Sequence, residues 1–326
     1  MKSFRTELHL KASLFNFGLN NPIFTIGSCF ADLIGEQLVQ TKFKVSNNPL
    51  GVIYNPYSIH RALHYSLEFS LPAENTYVQH EGLWSNYEFH SSFSGLTKEE
   101  VILKISNSLR SAHNSLKETE VLLITYGSAW VYENIETGEV VANCHKVPAK
   151  NFKKILLNTE AIAESFRFLY QALKKQHSSL QIILSVSPVR HTKDILPLNQ
   201  VSKSVLRLAC HEIEAQYADV EYFPAYEIMM DDLRDYRFYQ PDMIHPSDEA
   251  VNYIWHKFSE RYFNDITKNF IDRWKSISTD LRHRPFHLQS DDHQNFLKQV
   301  LQKLEELKPT VNVDAEIATI LLQLKS

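Results

Sequence analysis

Two short segments of this chain carry residue types at spacings that chemistry uses. The first is Gly27-Ser28-Cys29-Phe30, which ends an apolar run and opens a stretch of helical period. A serine at a strand-to-helix turn lies at the positive end of a helix, where backbone N–H groups can receive a developing oxyanion. Helix capping is the competing role for Ser28, since serine is a preferred N-cap. The second segment is Tyr239-Gln240-Pro241-Asp242-Met243-Ile244-His245-Pro246, again after an apolar run and before a helical stretch. A carboxylate three residues ahead of a histidine on a turn can hold one ring nitrogen and leave the other for a nucleophile. Ser28, Asp242 and His245 together have the makings of a catalytic triad, although His245 has a capping or packing role open to it as well. The same spacing recurs at Asp280 and His283, where no strand precedes it, and is read there as incidental. Cys29 offers a second nucleophile, because a helix N-terminus favours a thiolate, or else a small residue on the helix's first turn.

For these groups to meet, the chain must bring several turns to one edge. Short β-branched runs alternate with longer helical stretches, the pattern of a doubly wound α/β sheet. Five strands are expected: residues 23–26, 42–45, 121–125, 181–186 and 220–223. The first helix carries Phe30, Leu33, Ile34 and Leu38 on one face, and the last helix of the core starts near Ser247. In such sheets ligands bind beyond the carboxyl ends of the strands, where strand order reverses. Ser28 and the Asp242/His245 turn both fall at that edge. About 75 residues separate the second and third strands, including a helix near 57–68 and the aromatic segment from Trp84 through Phe89 to His90. Such an excursion either covers a site or packs as a hairpin that extends the core. Arg190 and His191, beyond the fourth strand, either bind an anionic group or, for Arg190, brace the Asp242 loop.

A chain of 326 residues with 44% hydrophobic and 22% charged residues can bury a full core. A net charge of -4 argues against a nucleic-acid partner. No run approaches the roughly 20 apolar residues of a membrane span. Charges interrupt the first apolar runs, so no signal peptide is expected, and Cys29, Cys144 and Cys210 suit a reducing, cytoplasmic setting. Fifteen histidines invite a metal, yet Cys144-His145, His191 and Cys210-His211 have no metal-ligand spacing, and neither a metal nor a cofactor is expected. Residues 1–264 are read as one domain with an insertion at about 46–120. Residues 265–326 are read as two helices, one bearing Phe296, Val300, Leu301 and Leu304, docked on the core or used for homo-oligomer formation.

The order of motifs adds a resemblance. Thr25-Ile26-Gly27-Ser28-Cys29-Phe30-Ala31 resembles the signature of the GSCFA family, a mostly bacterial group akin to the SGNH (GDSL-like) hydrolases. Asn48-Pro49-Leu50-Gly51, Thr125-Tyr126-Gly127-Ser128, Asn143-Cys144-His145 and Ser187-Pro188-Val189-Arg190-His191 follow in order, over about residues 20–260. The resemblance implies a three-layer, flavodoxin-like α/β/α fold and a serine esterase acting on ester-linked acyl groups, such as carbohydrate O-acetyl esters. Its implied oxyanion donors are the N–H groups of Ser28 and Gly51. A third donor, an asparagine, is missing: this chain has Gly127-Ser128-Ala129-Trp130 there, and Asn143 or His145 is the expected substitute. Gly127, Ser128, His145, Trp84, His90 and Arg190 are the expected substrate-binding residues. An acyltransferase, or a glycan-binding or assembly module without catalysis, is the alternative on the same fold.

Overall fold

A computed structural model describes residues 6–324. Ten strands are found: β1 Ile23–Gly27, β2 Val45–Asn47, β3 Tyr77–His80, β4 Leu83–Asn86, β5 Val121–Tyr126, β6 Trp130–Asn134, β7 Val140–Val141, β8 Phe152–Leu156, β9 Gln181–Val186 and β10 Val220–Phe223. Five of them form a parallel sheet in the order β10-β9-β5-β1-β2, the flavodoxin-like order. The helices are α1 Cys29–Gln40, α2 Pro56–Glu68, α3 Lys98–Glu118, α4 Thr159–Gln176, α5 Ile195–Gln216, α6 Ala225–Glu227, α7 Asp248–Tyr262, α8 Asp265–Leu281, α9 Asp291–Leu307 and α10 Asp314–Leu324.

Alternation along the strands explains the three layers. On β5, Leu122, Ile124 and Tyr126 face one core with α2–α5, while Val121 and Leu123 face a second core with α1 and α7–α9. On β9, Ile182, Leu184 and Val186 join the first core and Ile183 joins the second. A strand buried on both faces reads as a continuous apolar run, which is why these two were plain in the sequence. Chain direction reverses between β1, whose crossover leads outward to β2, and β5, whose successors run the other way. Ser28 and Gly127 therefore flank the switch point.

Two expectations need adjusting. The second strand begins at Val45 rather than Lys42, because α1 ends in a Schellman motif. Lys42 takes φ 68°, Lys42 N–H bonds Val39 O, and Phe43 N–H bonds Leu38 O, so residues 42 and 43 still belong to the helix end. The C-terminal region holds three helices, not two. In α8 only Thr267, Phe270, Trp274 and Ile277 are buried, a narrow stripe among charges. The tail docks on the second core: Trp274 Nε1 donates to Gln40 O at 2.7 Å, and Lys42 pairs with Glu316 at 2.6 Å. The long excursion resolves into α2, the antiparallel β3–β4 hairpin and α3. A second antiparallel sheet, β7-β6-β8, fills the segment between β5 and α4.

Candidate functional site

Gly27 ends β1 with φ 140°, and a Cβ there would fall 2.2 Å from Thr125 O, so only glycine lets β1 and β5 approach this closely. Asn48, itself at φ 42°, brackets the turn. Its Oδ1 accepts Gly27 N–H at 3.1 Å and its Nδ2 donates to Gly27 O at 3.3 Å. Ser28 follows as the N-cap of α1, its Oγ accepting Phe30 N–H at a long 3.4 Å. Gly127 sits beneath it, where an added Cβ would come to 3.1 Å from Ser28 Cβ and from the Tyr54 ring.

The second half of the site is the turn before α7. Gln240 N–H bonds His245 O at 2.8 Å, Ser247 N–H bonds Phe238 O at 2.8 Å, and Met243 at φ 58° makes the reversal. Asp242 serves this turn twice. Its Oδ1 accepts the N–H groups of Ile244 (2.8 Å) and His245 (3.0 Å), and its Oδ2 accepts the His245 Nδ1 proton at 2.7 Å. The His245 ring bond, then these backbone bonds, hold the Asp242 carboxyl down at about 2. With Nδ1 committed, the lone pair of His245 lies on Nε2. Arg190 braces the same turn, Nη1 to Met243 O at 3.0 Å and its own N–H to Ile244 O at 3.2 Å.

Both halves border a cavity of about 370 Å³ at the carboxyl edge of the sheet. Cys29, Tyr54, Ser128, Arg190, His191 and His245 stand in its wall. Ser28, the residue before Cys29, is 1% exposed and not part of this wall, and no hydrogen bond joins Ser28 Oγ to His245 among the described residues. The Cys29 thiol is half-buried, 3.6 Å from Tyr54 Oη. All three cysteines are unpaired.

The residues expected to bind the oxyanion are placed unevenly. Ser28 N–H is bonded to Thr125 O at 3.1 Å, and Gly51 N–H closes a turn on Asn48 O at 2.9 Å. The cavity wall reaches Val141 and Ala142 but does not include Asn143 or His145. Asn143 Oδ1 accepts His145 N–H at 2.9 Å, while His145 Nε2 is 2.7 Å from Asn86 O and burial lowers its proton affinity. Both residues are thus engaged in pinning the 140s loop to the β3–β4 hairpin. His90 caps the turn at 91–93, with its Cβ beside Gly51. Trp84 lies under the Lys98 ammonium, 5.6 Å from ring centre, outside this cavity. Asp280 pairs with Lys303 rather than with His283. Among the described residues no three His, Cys, Asp or Glu side chains gather as a metal site would need.

Three participants were not singled out from the sequence. Asn48 and Tyr54 stand in the sequence only as members of the motif that begins at Asn48. Lys203 passes unnoticed in a helix, yet it is fully buried and donates to Gly127 O at 2.7 Å and Ser187 O at 2.8 Å, tying the ends of β5 and β9 together. Burial brings its ammonium down to about 7. A lysine inside a helical apolar stripe is the one signal that marks it.

Sheet order β10-β9-β5-β1-β2, with a core on each face, defines the class of three-layer, flavodoxin-like α/β/α folds. Within that class the chain belongs to the GSCFA family, whose model matches residues 22–258; a second model, the GSCFA domain protein C-terminal domain, matches residues 274–326. No curated protein sequence matches the chain. Similar solved structures include a putative platelet activating factor from Streptococcus pneumonia, with 13% identity, TM-score 0.38, covering 73% of this chain and 84% of that one. A family 3 carbohydrate esterase from Talaromyces cellulolyticus gives 10% identity, TM-score 0.34 and coverage of 78% and 99%. The Clostridium thermocellum family 3 carbohydrate esterase gives 11%, 0.34, 79% and 98%.

Proposed function

We propose that the protein is a serine esterase that cleaves ester-linked acyl groups from a small-molecule or glycan alcohol. The observation that carries this reading is the Asp242–His245 hydrogen bond, with His245 in the wall of a cavity shared by Cys29, the residue after Ser28. Ser28 Oγ attacks the ester carbonyl while its proton passes to His245 Nε2. The long bond to Phe30 N–H is a weak tether, so the hydroxyl turns toward the cavity at little cost. Positive charge at the first turn of α1 faces the developing oxyanion. The Ser28 and Gly51 N–H groups contribute as their present bonds lengthen. The tetrahedral adduct collapses, the carbon–oxygen bond to the alcohol breaks, and His245 protonates the departing alkoxide. Water, deprotonated by His245, then releases the acid; a second alcohol in its place would give acyl transfer.

One observation favours a second reading. Cys29, not Ser28, stands in the cavity wall with His245, so the thiol is the competing nucleophile. Incubation with a fluorophosphonate serine probe, followed by peptide mass spectrometry, separates the two. Labelling at Ser28 that disappears in Ser28→Ala and survives Cys29→Ala is expected. Iodoacetamide labelling of Cys29, with activity lost in Cys29→Ala and kept in Ser28→Ala, would reverse the assignment.

A further inference from the structure

A second cavity, of about 300 Å³, lies against the first; Val189 and Arg190 stand in the walls of both. Its far side is the π-helix Ile228–Leu233, which follows α6 and turns Met229 and Met230 into the space. π-helical turns are rare and concentrate at functional sites. Leu196, Tyr226, Tyr236 and Tyr239 complete the lining that matters here.

Several polar groups around this cavity are bonded to the protein itself. Asn199 Oδ1 accepts His191 N–H at 3.0 Å, and Tyr226 Oη donates to Gln200 Oε1. Asp235 Oδ1 accepts Arg237 N–H at 2.9 Å, and Tyr239 Oη reaches Met230 Sδ at 3.6 Å. Arg234 faces Asp231 at 3.8 Å on the surface. Arg190 is held by Met243 O, its guanidinium 5.3 Å and 6.0 Å from the centres of the Tyr239 and Tyr236 rings. Most of the surface left for a guest is thioether, aliphatic and aromatic, and methionine adapts its shape to flexible apolar groups. The volume is at the small end for ligand cavities, on the order of 300–1,000 Å³, which is room for one hydrocarbon chain.

We infer that this cavity receives the acyl chain of the substrate, a saturated chain longer than acetyl, while the first cavity holds the reacting ester and the alcohol. The inference rests on the esterase reading for its chemistry, but the cavity's affinity for a hydrocarbon chain is measurable without turnover. Hydrolysis of p-nitrophenyl acetate, hexanoate and octanoate is compared for wild type, Met230→Trp and Leu196→Trp, substitutions that fill the cavity from the π-helix and from α5. Isothermal titration of each protein with octanoate and with acetate runs in parallel, and circular dichroism checks folding. Wild type is expected to favour octanoate over acetate at least tenfold in kcat/KM. Both variants lose that preference while cleaving acetate within twofold of wild type. Octanoate binds wild type and fails to bind either folded variant. A wild type that favours acetate, or variants that keep the chain-length preference, overturns the inference. If no ester is cleaved, the esterase reading falls by itself; octanoate binding blocked by Met230→Trp still upholds the cavity's role, and absence of octanoate binding to wild type ends it.

Discussion

Replacing the Asp242 carboxylate by an amide in Asp242→Asn leaves the turn nearly the same shape but offers an N–H where His245 Nδ1 expects an acceptor. The imidazole then loses the tautomer that puts a lone pair on Nε2. A fall in kcat of about 10²–10⁴-fold is expected, with KM within about twofold, read from initial rates on an ester substrate. The sign of the pH effect follows from the depressed Asp242 pKa. The stabilisation from its bonds is complete above the unfolded carboxylate value near 4 and is lost as pH falls through about 2. Activity that declines on acidification above pH 4 therefore reports a group other than Asp242, which a pH–rate profile of wild type beside Asp242→Asn makes visible. Ser28, Asp242 and His245 were legible because each is adjacent in sequence to the turn that places it. Asn48 and Lys203 were not, because their partners, Gly27 at 21 residues' separation and Gly127 at 76, come near only after the sheet assembles.

Elements set the geometry that those side chains inherit. The carboxyl ends of β1, β5 and β9 are locked in two ways: by close approach at Gly27 and Gly127, and by the Lys203 amine across Gly127 O and Ser187 O. Gly27→Ala forces a Cβ into the Thr125 carbonyl and should cost about 3 kcal/mol or more in strain and overpacking, measured by urea unfolding. Gly127→Ala meets a softer contact at 3.1 Å and should fold, but displace Ser28 and cut kcat by at least about tenfold. Lys203 has a native-state proton affinity below that of the unfolded chain. Between about pH 7 and the unfolded value near 10.4 the unfolded state binds more protons, so the contribution of Lys203 to stability rises with pH across that window and is flat below it. Lys203→Met removes this increment, and a comparison of melting temperatures at pH 6.5 and pH 9.5 for the two proteins shows it. Strands β5 and β9 were readable because both their faces are buried. The start of β2 was masked by the end of α1, whose Schellman turn runs through residues that look extended in sequence.

On the scale of the whole molecule, the C-terminal helices complete a core rather than decorate one. Phe30, Ile34 and Leu38 of α1 share a single buried cluster with Phe270, Trp274, Leu297, Val300 and Leu304. Trp274→Ala removes the largest of these side chains and its bond to Gln40 O, and should destabilise the protein by about 3–5 kcal/mol. Chemical denaturation followed by both far-UV circular dichroism and tyrosine fluorescence should show one transition moving for both probes, since tail and sheet lose the same core. The apolar positions of α9 and α10 were legible as helices, whereas α8 was not, because its buried stripe is diluted by solvent-facing charge. Shared burial between segments so far apart in the chain also has a consequence for synthesis. The partner that caps Gln40 is made 234 residues after it, a wait of roughly ten to fifty seconds at about 5–20 residues per second. Throughout that interval the part of this face that α8 and α9 cover, beside α1, is exposed hydrocarbon. Holdase chaperones would therefore engage ribosome-bound chains that end before α8 and let go once α9 and α10 have emerged, a handover that pull-down of stalled nascent chains of graded length would time.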